Sequence, residues 1–127
     1  MNRTKLMVSV GVLTLTAFAT VQFGHAAEAK PKYTTKEVMK TLHKGDTSVG
    51  KRVGAGNGTK EDFAKMVDYY GALPANKPPK GDDASWKAKT TALLDSAKAL
   101  NAGKPGALEA FKKASNCKAC HSVHKED

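Results

Sequence analysis

Beyond residue 26 of this 127-residue chain, apolar positions recur three and four apart, the spacing of helices with one buried face. Val38, Met39 and Leu42 make the stripe of a first helix that starts near Thr34 or Thr35, with Glu37 as its capping partner. Glycines at 45, 50, 54, 56 and 58 then interrupt the pattern and leave at most a short helix around residues 47–53. Thr59 opens the next helix, with Asp62 in a near-capping box and Phe63, Met66, Val67 and Tyr70 on one face. Leu73 and Pro74 end it, and the Pro- and Gly-containing residues 74–82 read as an ordered turn. A third helix starts after Asp82 or Asp83 and runs to about Ala102, burying Trp86, Leu93, Leu94, Ala97 and Leu100. Asn101, Ala102 and Gly103 form its C-cap, and Pro105 fits the first turn of a fourth helix. That helix carries Leu108, Phe111 and Ala114 and continues into residues 117–121. Nothing alternates with the period of a strand. The expected fold is all-α, an antiparallel four-helix bundle with short connections.

The first 26 residues have a different pattern. Arg3 and Lys5 precede an apolar, Thr-containing run over residues 6–21, and then come Gly24, His25 and Ala26. This is the layout of a secretory signal peptide cut after Ala26, which would leave residues 27–127 as a soluble periplasmic domain. The run is shorter than the roughly 20 apolar residues a membrane span prefers. Cleavage would remove two basic residues and no acidic one, leaving 19 basic against 12 acidic side chains. The positive charge points to acidic partners met through long-range steering. Lysines are scattered rather than blocked, and no basic patch is interleaved with aromatics, so nucleic acid is not expected.

The chemistry is concentrated near the C-terminus. Cys117-Lys118-Ala119-Cys120-His121 is a C-x-x-C-H sequence, the attachment pattern of a c-type haem. The two thiols can add to the two vinyl groups of a haem, and the imidazole one residue on can reach the iron. Cys117 and His121 are four apart, so one helical turn presents both. Three other readings exist. A disulfide between Cys117 and Cys120 suits an oxidising compartment. A thioredoxin-type pair needs a βαβ context that is absent. A zinc site could draw on Cys117, Cys120, His121 and His124, although four ligands within two helical turns strain a tetrahedron. The sparse supply of large apolar side chains also favours a bulky cofactor that completes the core.

The other axial position has several candidates. Antiparallel packing places the start of the first helix beside the end of the last. Met39 lies near that start, with a soft thioether suited to iron. His43 follows on the same face, about 6 Å further along the axis. Met66 reads as ordinary core. His124, three residues after His121 on the same helix, cannot reach the opposite face of a porphyrin.

With its single C-x-x-C-H close to the C-terminus, a basic Lys125 four residues after His121 and a methionine in Glu37-Val38-Met39-Lys40, the chain resembles the class II c-type cytochromes, the cytochrome c-prime family. The methionine resembles that of the low-spin branch. The resemblance implies a left-handed antiparallel bundle around one covalent haem c, with His121 proximal and Met39 distal. The glycines at 45–58 depart from the long first helix of that family. The expected function is electron transfer by Fe(III)/Fe(II) cycling with acidic redox partner proteins, with a homodimer left open. The alternative is a five-coordinate haem that binds NO or CO, with Met39 as packing only. No paired carboxylates or Ser-His-Asp set suggests an enzyme.

Overall fold

The computed structural model describes residues 30–126, so the signal peptide expected over residues 1–26 lies outside the described residues. Those residues form six α-helices and one 3-10 turn, with no strand among them. No described helix is long and apolar enough to cross a membrane.

The first helix, α1 (Thr35–His43), begins where Thr34 accepts a hydrogen bond from the Glu37 amide and the Glu37 carboxylate accepts one from the Thr34 amide. This reciprocal box satisfies two orphan amides of the first turn. Tyr33 fixes the entry angle: its ring stacks on Tyr69 at 4.0 Å between centroids and its hydroxyl donates to Asp68. Val38 and Leu42 are fully buried beneath α1.

The short α2 (Val49–Gly54) survives the glycine-rich stretch because Val49 and Val53 reach the core. It stops in a Schellman turn, with Gly56 at φ +83 and its amide bonded back to Val53. A second capping box, Thr59 with Asp62, starts α3 (Lys60–Tyr70). The buried Asp62 also receives two bonds from Arg52 and so ties α2 to α3.

Gly71 and Ala72 turn the chain off α3, and Leu73–Ala75 form the 3-10 turn. The expected stop at Leu73-Pro74 therefore comes three residues early, after Tyr70. The Trp86 indole N–H donates to the Leu73 carbonyl at 3.0 Å and binds this turn to α4 (Asp83–Asn101). The α4 helix is the spine of the molecule, packed along α3 on one side and α5 (Ala107–Ala114) on the other. It ends as expected, with Gly103 at φ +65 and the Schellman bonds from Gly103 to Leu100 and from Lys104 to Ala99.

Two expectations are corrected at the last helix. Pro105 does not lie in its first turn. Pro105 and Gly106 (φ +74) are the central pair of a turn closed by the Ala107 amide on the Lys104 carbonyl. Proline followed by a positive-φ glycine is the signature of a type II turn. The helix is also not continuous: Ser115 ends α5, and Asn116 accepts from the Ala119 amide to start a separate α6 (Cys117–His124). Asparagine favours an N-cap over a helix interior, so the chain restarts as a separate helix at Cys117.

Candidate functional site

The α6 helix stands apart from the rest of the core: it packs extensively against no other helix of the described residues. Its anchor is His124, 2% exposed. The His124 Nδ1–H donates to the Lys80 carbonyl at 2.9 Å, Nε2 lies 3.1 Å from the Ser85 hydroxyl, and the ring meets Trp86 edge-on. Gly81 (φ +83) makes this possible, because a Cβ there would lie 2.8 Å from Nδ1 and 2.9 Å from the Val123 carbonyl. No sequence signal identified His124 as the anchor, since its partners lie about forty residues away.

Between α6 and the body lies a cleft that is partly open to solvent. Cys117, Cys120 and His121 line it from α6, Met39 and His43 from α1, and Trp86, Lys89, Thr90 and Leu93 from α4. The cleft continues outward past Met39, Trp86, Cys120 and His121 toward Thr35, Lys36 and Lys125. Its walls are mostly apolar. Met66 is fully buried in the core and lines neither part, which separates it from Met39.

Both cysteines are free thiols, Cys117 exposed and Cys120 half-buried. Burial pushes the Cys120 thiol up, and the nearby Lys89 ammonium opposes that shift. Cys117 Sγ donates to the Ser115 carbonyl at 3.4 Å. Burial also depresses His43, aided by the charge of His121. Tyr70, fully buried in α3, places its hydroxyl 2.8 Å from His43 Nε2, and burial raises that phenol far above its usual range.

The donor set bears on the competing readings. His124 faces Lys80 and Ser85, and no three His, Cys, Asp or Glu side chains converge to hold a metal among the described residues. A closed zinc site made of both cysteines and both histidines therefore does not assemble. The residues do suit a haem c: two thiols three apart and an imidazole one residue on border an apolar cleft, with a thioether and a second imidazole on its α1 side. Thr35 Oγ1, on the outer wall, is buried with no hydrogen-bond partner, an orphan that a polar group of a bound molecule can satisfy.

A comparison with protein families, characterised proteins and solved structures finds no match to this chain. The site therefore rests on its own residues.

Proposed function

We propose that this protein is a periplasmic monohaem c-type cytochrome that carries electrons, with its haem c held by thioethers at Cys117 and Cys120. His121 would be the proximal iron ligand and Met39 the distal one. One observation carries this reading: the cysteines and His121 of the last helix share a single apolar cleft with Met39 of the first helix, about eighty residues away in sequence. In a four-helix bundle, α1 with α2, α3, α4 and α5 would be the four legs, and α6, which stands apart from them, would carry the haem attachment.

When bound, the haem supplies a one-electron Fe(III)/Fe(II) couple, and a methionine ligand raises its potential. The protein's own residues do the rest. Asn116 starts α6 so that Cys117, Cys120 and His121 border the cleft. His124 holds α6 to the loop before α4, and Trp86 and Leu93 exclude water from the inner wall. Basic side chains at the cleft's outer end, Lys36 and Lys125, favour an acidic redox partner, so exchange should slow as salt rises.

The test is a pyridine haemochrome assay on protein exported by a host competent in haem attachment, followed by Met39→Ala. The expected results are one haem c per chain and, in the variant, loss of the low-spin methionine spectrum with gain of CO binding. A haem-free protein defeats the reading. A wild type that already binds CO as a high-spin haem replaces electron transfer with gas binding.

A further inference from the structure

Two α1 side chains reach the cleft, but His43 has its ring held along both edges. On one edge, Nε2 lies 2.8 Å from the Tyr70 hydroxyl, and the two rings stack with centroids 5.8 Å apart and planes 22° from parallel. Tyr70 is fully buried, and whichever of the two groups supplies the proton, this contact occupies Nε2. On the other edge, Nδ1 and Cε1 sit over Gly50, where an added Cβ would lie 2.6 Å and 2.8 Å from them. Gly50 lies within α2, so its missing side chain is what creates the seat.

We infer that Tyr70 and Gly50 are positioning residues that park His43 against the cleft wall and thereby reserve the distal iron position for Met39. The inference rests on the proposed haem attachment and goes beyond it by explaining how one of two competent ligands is chosen. Imidazole binds a metal through the lone pair of one ring nitrogen, and the partner of the ring's other nitrogen sets its orientation. Nε2, occupied by the Tyr70 hydroxyl in either tautomer, is not available to iron. Nδ1 faces Gly50, so neither nitrogen points freely into the cleft. The Met39 thioether, one helical turn earlier on the same face, then meets no rival. Specificity here comes from restraining the competitor, since both ligands suit iron.

Two variants of the loaded, full-length protein test the inference. Tyr70→Phe keeps the ring and removes only the hydroxyl. Gly50→Ala leaves Tyr70 intact and puts a Cβ where the imidazole sits, which drives the ring toward the cleft. In each, the haem content should match wild type by pyridine haemochrome. The ferric band of the iron–thioether bond should lose most of its intensity while the iron stays low-spin. The midpoint potential should fall by the equivalent of about a tenfold change in the reduced-to-oxidised ratio, ~59 mV for one electron. Adding His43→Leu to either variant should restore the methionine band and the potential. If one variant fails to fold, the other carries the test alone. An unchanged band and potential overturn the inference, as does a loss that His43→Leu does not reverse. A wild type lacking haem defeats the functional reading as well, whereas a haem-loaded wild type with unresponsive variants defeats only this inference.

Discussion

Replacing Gly81 by alanine should destabilise the protein far more than the same change at Gly45, although both glycines have positive φ. Gly81 sits at φ +83 and Gly45 at φ +93, so each substitution incurs the left-handed penalty of an L-residue, about 1–2 kcal/mol. The surroundings differ. Nothing lies within 4 Å of a Cβ at Gly45, whereas a Cβ at Gly81 meets His124 Nδ1 at 2.8 Å and the Val123 carbonyl at 2.9 Å. Relieving that contact means displacing His124, whose Nδ1–H bonds to the Lys80 carbonyl and whose ring is 2% exposed. Breaking one such buried bond costs about 1–3 kcal/mol. The expected totals are therefore about 1–2 kcal/mol at Gly45 and about 2–5 kcal/mol at Gly81. The loss at Gly81 should be accompanied by a loosened α6, because His124 is that helix's buried anchor. Urea unfolding of both variants, followed by far-ultraviolet circular dichroism, measures the difference. Hydrogen exchange across Cys117–His124 reports the loosening. Equal costs at the two glycines, or an unaltered α6 in the Gly81 variant, would refute the close-approach argument.

Two further predictions concern the body of the fold. The hydrogen bond from Arg52, with a smaller contribution from the Thr59 amide, holds the buried Asp62 carboxyl below its ordinary value of 3.8. A carboxyl lowered in the folded state contributes stability that is complete above its unfolded value and is lost as pH falls through the folded one. Asp62→Asn should thus lower stability at neutral pH and flatten the decline below pH 3.8, as read by unfolding midpoints from pH 7 to pH 2; an acid limb parallel to wild type would contradict it. Phe111, 1% exposed where α5 meets the core, should cost about 3–5 kcal/mol on truncation to alanine by chemical denaturation, and a cost below that of an exposed site would place it outside the core.

The parts of the fold that were legible in the sequence are those set by residues within one turn of each other. Thr34 with Glu37 and Thr59 with Asp62 mark two helix starts by local hydrogen bonds, and Gly103 marks a helix end by its backbone freedom. The pairing of Pro105 with Gly106 was equally local, but reading the proline as a helix start missed the type II turn that both residues together encode. The break at Asn116 competes with an apolar pattern running through Phe111 and Ala114, and the pattern masked the cap. What stayed hidden depends on distant partners. His124 becomes an anchor only through Lys80, Gly81 and Ser85, and His43 is restrained only through Tyr70 and Gly50. The cleft followed the same division: Cys117, Cys120 and His121 announce themselves by spacing, and Met39 by its place near the start of α1. The α4 wall residues Lys89 and Thr90 carried no such mark.

The most direct test of the proposed haem attachment is the intact mass, under denaturing conditions, of protein made in a host competent in haem attachment, paired with titration of its thiols. Thioether attachment predicts that each chain retains one haem c after unfolding and shows no reactive thiol. A chain at its bare polypeptide mass with two titratable thiols, Cys117 and Cys120, would contradict it.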